Sequence, residues 1–155
     1  MDLSHRPSTL YGASTEHLRI ASELLESGRR GNYAMSIYIA GLGVECILQA
    51  IALHHGSRHD ARHDLRAWLA KCPGTLISGL RGTPAWDEVV ASWSNEIRYF
   101  SFEALAGYLR RKNRFTGRKG GVESLVRAAA CSFVAACVRV QEKGVAEWLR
   151  SCRRK

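Results

Sequence analysis

An all-α, up-and-down bundle of about five main helices is the fold this sequence predicts, and three observations predict it. Apolar residues recur at three- and four-residue intervals through most of the chain, with no convincing alternating strand. Capping residues, prolines and glycines bracket those stretches. One stretch, Tyr33 to Leu53, is apolar on several faces, as the central element of a bundle must be.

The elements follow in order. Ser14 caps a first helix running to Ser27, with Glu16 in the first turn, Leu18, Ala21, Leu24 and Leu25 on one face, and Gly28 as the stop. In the second helix, Tyr33, Ile37, Ala40, Val44, Ile47 and Ile51 alternate four- and three-residue steps until Gly56-Ser57. Asp64 caps a short third helix with Leu65, Trp68, Leu69 and Cys72 on one face, ended by Pro73-Gly74. Thr83-Pro84 opens a fourth, lined by Trp86, Val89, Val90, Trp93 and Ile97, with Asp87 and Glu88 near its positive end. Ser101 caps another short helix carrying Phe102, Leu105 and Leu109. The last begins near Val122 and presents Leu125, Val126, Ala129, Phe133, Ala136 and Val140; Gly144 is expected to bend it before Val145, Trp148, Leu149 and Cys152 resume the pattern. Residues 1–12 read as an N-terminal arm, 13–152 as one domain and 153–155 as a basic tail.

Composition supports one folded domain. The chain has 155 residues, 46% of them hydrophobic, and a net charge of +9 from 23 Lys and Arg against 14 Asp and Glu. That apolar content excludes a disordered chain, and the excess of cations favours polyanionic partners. Three prolines exclude a Pro-rich linker, and five cysteines, an odd number, point to reduced thiols in a cytoplasm. Cys46, Cys131 and Cys137 read as small core side chains. The opening residues contain no signal-like apolar run, so no export is expected. The Tyr33–Leu53 stretch carries Glu45 at its centre, which would cost ~3 kcal/mol in a bilayer; a buried helix is expected, with no membrane partner.

Glu45 is the sharpest chemical anomaly. A carboxylate inside the most apolar helix calls for a cation or hydrogen-bond donors. Arg98, following Ile97 on the apolar side of the fourth helix, is the candidate partner; a purely structural ion pair or a wet helix face are the alternatives. His54, His55, His59 and His63, with Asp60 and Asp64, form a second feature. Gly56-Ser57 breaks the helical register that would align the imidazoles, and no metal-ligand motif accompanies them, so neither metal nor cofactor is expected. Asp64 is instead placed to cap backbone N–H groups, presenting His63 at the helix mouth.

Arg58 and His63 suit phosphodiester cleavage: a guanidinium stabilises phosphate charge while an imidazole moves the proton of a 2′-hydroxyl. A solvated loop is the plain alternative. Arg110, Arg111, Lys112, Arg114, Arg118 and Lys119 form an acid-free loop closed by Gly120-Gly121, with Tyr108 and Phe115 nearby. Cations interleaved with aromatics suit single-stranded nucleic acid, against the alternative of a merely soluble loop. Arg150, Arg153, Arg154 and Lys155 add to the field. No Gly-rich phosphate loop, Ser-His-Asp constellation or Cys-His nucleophile pattern occurs.

The run YAMSIYIAGLGVECILQA from Tyr33 to Ala50, His63-Asp64-Leu65 with Trp68-Leu69 downstream, and Trp93, Glu96, Ile97, Arg98 and Tyr99 in order together resemble the HEPN domains, over about residues 12–148. That resemblance implies a helical bundle that pairs as a homodimer, with a polar cleft at or near the interface. Many members are metal-independent ribonucleases of toxin–antitoxin, phage-defence or RNA-processing systems. Others are non-catalytic assembly modules, some acting beside a nucleotidyltransferase. The resemblance implies Arg58, His63 and Arg98 as catalytic candidates, supported by Glu45, Asp64 and Tyr99. Active members carry Arg, four to six residues, then His in the later part of the fold. Here Glu103 stands where that histidine would follow Arg98, and no histidine follows His63. Arg58 to His63 keeps the spacing at an earlier place. A rearranged site would bring His63 near Arg98 across the bundle, with Glu45 orienting one of them.

Overall fold

A proline at its head and a glycine beyond its tail delimit the first helix of the computed structural model, which describes residues 6–60 and 62–154. Helix α1 spans Pro7–Glu26, with Pro7 in the first turn, and Gly28 takes φ +66° just past its end. The N-cap expected at Ser14 is overturned, because Pro7 has already started the helix two turns earlier. Ser14 is instead fully buried, its hydroxyl donating to the Gly43 carbonyl at 2.7 Å. Gly43 permits that approach: a Cβ there would lie 3.0 Å from Leu18 Cγ and 3.2 Å from the Ser14 carbonyl. The proposed arm shortens accordingly. Leu10 is buried and Tyr11 stacks on Trp148 at 5.2 Å, so residues 7–12 belong to the bundle, while residues 1–5 lie outside the described residues.

Helix α2, Tyr33–His54, is the central element. Its six stripe residues, Tyr33 to Ile51, are each at most 1% exposed. The segment Arg30–His54 is long and apolar enough to cross a membrane, yet 72% of its apolar window is buried within the fold, so its apolarity goes into core packing. Helix α7, Val122–Arg153, crosses α2 on another side and is continuous through Gly144. The helix is unbroken at that glycine, whose missing side chain admits Ile47; the Ile47 Cγ1 would stand 2.6 Å from an added Cβ.

Four short helices complete the fold: α3 (Leu65–Ala70), α4 (Gly74–Leu80), α5 (Pro84–Ser92) and α6 (Phe102–Arg111). Caps at Asp64, Thr83 and Ser101 accept the N–H groups of Ala67, Trp86 and Ala104, as expected. Helix α3 ends before Pro73-Gly74, and the sequence reading has no helix directly beyond it; Pro73 heads α4, which buries Leu76 and Leu80. The fourth predicted helix also ends early. Trp93 is extended at ψ 138° and Ser94 caps a separate 3-10 turn, Asn95–Tyr99. Seven α-helices and no strand therefore stand among the described residues, in an all-α bundle. All five cysteines are free thiols, and Cys131 is exposed on α7 rather than buried with Cys137.

Candidate functional site at the Glu45–His63 pair

Glu45 projects from α2 toward the chain that returns between α2 and α3. Gly56, at φ +90°, turns that chain out of α2. Asp60 then gathers it: its carboxylate accepts the Arg62 backbone N–H at 3.1 Å and the Arg62 guanidinium at 2.6 Å, with Lys71 Nζ at 3.6 Å. These contacts hold the Asp60 carboxyl well below the usual aspartate range, chiefly through the Arg62 side chain. The Trp68 indole donates to the Arg62 carbonyl at 3.1 Å, and Asp64 caps α3. His63 lies between these two fixed residues. Its Nδ1 is 3.0 and 3.2 Å from the Glu45 carboxylate oxygens, and Gln49 Nε2 donates to the same carboxylate at 2.7 Å.

The pair is asymmetric in solvent. The Glu45 side chain is 5% exposed and the His63 side chain 42%. With Nδ1–H donating to the carboxylate, Nε2 is the nitrogen left to face a ligand. Trp93 walls one side, its ring meeting the His63 ring edge-on at 6.5 Å and its indole donating to the Tyr38 carbonyl at 3.2 Å. A pocket of about 260 Å³ opens here, lined by His63, Asp64, Leu65, Arg66, Val90 and Trp93.

The expected partnership of Glu45 with Arg98 is not formed. The break at Trp93 and the new turn carry Arg98 out to solvent, where its guanidinium lies 4.6 Å over the Tyr99 ring and interacts with the Tyr38 side chain. Tyr99 is 74% exposed, and the Asp64 carboxylate serves as the α3 cap, so neither joins the Glu45 contacts. Arg58 is exposed in the coil after α2, and none of the contacts of the pair involves it. The structure thus joins Glu45 and His63 and leaves Arg58 and Arg98 apart from them.

The remaining imidazoles diverge. His55 meets Ser151 Oγ at 3.0 Å, His54 packs on Trp148 at 5.1 Å and His59 on Trp68 at 6.2 Å. No group of three or more His, Cys, Asp or Glu assembles around a metal-sized point among the described residues. Burial pushes the Cys46 and Cys72 thiols up to about 12, far from a nucleophile's range.

The basic segment spans the end of α6 and the turns before α7. Arg110, Arg111, Lys112, Arg118 and Lys119 are exposed, whereas Arg114 is half-buried and bound to Glu88 of α5 at 3.0 Å. Arg110 and Lys112 lie over Phe115 and Tyr108, so the aromatics noted in the sequence do face the cations. Glu88 and Ser92, whose carbonyl accepts the Tyr108 hydroxyl at 2.7 Å, lie on the flank of α5 opposite Trp86, Val90 and Trp93 at 100° per residue. The cationic segment and the Glu45–His63 pocket therefore occupy different sides of α5.

Burial pushes the Glu45 carboxyl above the ordinary glutamate range, while the hydrogen bond and charge of His63 pull it down. A raised native pKa means that the folded state holds this proton more tightly than the unfolded chain. Its stabilising contribution is full below the ordinary glutamate pKa and is lost as pH rises through the raised native value. Glu45→Gln, which cannot ionise, should gain melting temperature relative to the parent as pH rises from the ordinary glutamate pKa of about 4.3 through the raised native value. A difference that stays flat or shrinks over that range in thermal melts would refute the assignment.

Sequence reasoning missed Gln49, Trp93 and Arg66 as site components. Gln49 was legible as the residue one turn beyond Glu45, an amide within reach of the carboxylate. A second buried carboxylate, Glu147 on α7, was also missed; Thr75 and Arg150 satisfy it at 2.9 and 3.1 Å. Compared with protein-family models, curated proteins and solved structures, the chain matches none.

Proposed function

We propose that this chain is a HEPN-like RNA-binding protein that cleaves single-stranded RNA without a metal, in the cytoplasm, as part of a toxin–antitoxin or phage-defence system. One observation carries the reading: a half-exposed imidazole held by a nearly buried carboxylate at the mouth of a polar pocket. Glu45 positions the ring through Nδ1 and offsets positive charge on it. Nε2 of His63 then takes the proton of a ribose 2′-hydroxyl as its oxygen attacks the adjacent phosphorus. The P–O5′ bond breaks, a 2′,3′-cyclic phosphate remains, and the departing 5′-oxygen gains a proton. Arg66, in the same pocket, takes the phosphate-stabilising role that the sequence gave to Arg58 and Arg98.

Purified protein in chelator should convert single-stranded RNA into fragments ending in 2′,3′-cyclic phosphate. Intact RNA after prolonged incubation would remove the catalytic reading. A second reading, a non-catalytic module that forms a homodimer or joins a nucleotidyltransferase or a larger defence complex, draws on the separation of Arg98 from the pair and on the exposure of Tyr99 and Met35. Inertness toward RNA together with a stable complex with such a partner would favour it.

A further inference from the structure

The pocket at His63 does not end at α3. Arg66 on its edge also lines a second depression of about 230 Å³, bounded by Leu69, Trp86, Asp87 and Arg81. The two depressions adjoin at that arginine, making a discontinuous groove along α3 and α5. Arg66 and Arg81 are exposed, and neither guanidinium makes an ion pair or hydrogen bond among the described residues. Many other cations of the fold are engaged. Arg114 binds Glu88 at 3.0 Å, Arg62 binds Asp60 at 2.6 Å, and Arg30 stands 3.6 Å from Glu103.

We propose that this groove, rather than the Arg110–Lys119 segment, is the track for the RNA strand, with successive phosphates on Arg66 and Arg81. The inference rests on the RNA reading above and assigns its substrate path. Exposed guanidinium forks match phosphate bidentately, and an indole offers a stacking face that tolerates any base. Trp93, the partly exposed wall of the pocket beside His63, is the aromatic side chain placed to meet a base of the strand. The groove also holds two acids. Asp64 is occupied with the Ala67 N–H at 3.0 Å, and Asp87 is the acceptor available to a ribose hydroxyl. The basic segment, across α5, then contributes long-range attraction rather than contact with the strand.

The test uses the full chain and a labelled single-stranded RNA of about twelve nucleotides, with affinity read by fluorescence anisotropy over a salt series. Joint replacement Arg66→Gln and Arg81→Gln should weaken binding about tenfold or more and flatten the salt slope by about 1.4, the share of two phosphates on a single strand. Arg110→Gln with Arg111→Gln and Arg118→Gln should weaken binding less and leave cleavage position unchanged. Parental binding and slope in the groove variant, with loss in the segment variant, would overturn the track while leaving RNA binding intact. Absence of RNA binding by the parent protein would instead overturn the RNA reading and the track with it. Unchanged thermal melts identify variants that still fold, as expected for two exposed arginines without partners.

Discussion

His63→Ala is expected to lower metal-free RNA cleavage by about 10²- to 10⁴-fold, the range for loss of a positioned general acid–base group. RNA affinity should persist, because the cations of the groove remain. The fold should persist too, since the imidazole is 42% exposed and contributes little apolar burial. Removing it leaves the buried Glu45 with Gln49 as its remaining hydrogen-bond donor among the described residues, so the variant should lose stability mainly toward high pH, where a carboxylate without its imidazole is most costly. Rates measured under single-turnover conditions across pH separate the roles. His63→Ala removes the proton carrier at every pH, whereas Glu45→Gln keeps the ring, loosens its hold and reduces the rate less. Cleavage by His63→Ala at the parental rate would eliminate His63 as the proton carrier.

Gly41→Ala is the second large effect, and its sign is diagnostic. In an unhindered helix, alanine in place of glycine stabilises by roughly 1 kcal/mol. Here an added Cβ would stand 2.0 Å from Trp93 Nε1 and 2.1 Å from Cδ1, inside the indole. The ring must leave, giving up its bond to the Tyr38 carbonyl and its contact with His63. Overpacking of this kind costs about 1–3 kcal/mol, and the wall of the pocket goes with it. The variant should melt lower than the parent and lose RNA cleavage despite keeping both Glu45 and His63. A raised melting temperature with full activity would show that Trp93 does not rest on α2.

The parts of the fold legible in the sequence are those decided locally. The α2 stripe follows from helical spacing, and the caps at Asp64, Thr83 and Ser101 act over three residues, so each declares itself within one turn. Ser14 misled because a buried serine bonding another helix has the same local appearance as a cap. The break at Trp93 was missed because Val90, Trp93 and Ile97 keep helical spacing across it; Ser94, whose side chain accepts the Glu96 N–H, was the available signal. That miss carried the functional error with it. Counting Arg98 with the apolar side of a helix that runs on to Ile97 points it at Glu45, whereas α5 ends at Ser92 and the following 3-10 turn leaves Arg98 exposed. The buried acid was recognisable from its surroundings alone. Its partner, 18 residues away across a turn, depended on how that turn closes. Arg66 carried no signal in the sequence, because only the packing of α3 beside α5 makes it a pocket residue.

The carboxylate and the imidazole belong to different helical segments: Glu45 to α2, and His63 to the residues fastened to α3 through Trp68 and Asp64. Their separation is therefore a gauge of how α3 is aligned along α2. A molecule that presses on α3, by filling the adjoining groove or by docking on its outer side, would lengthen or shorten the hydrogen bond between them without touching either member. The imidazole NMR shifts of His63 would register that displacement directly.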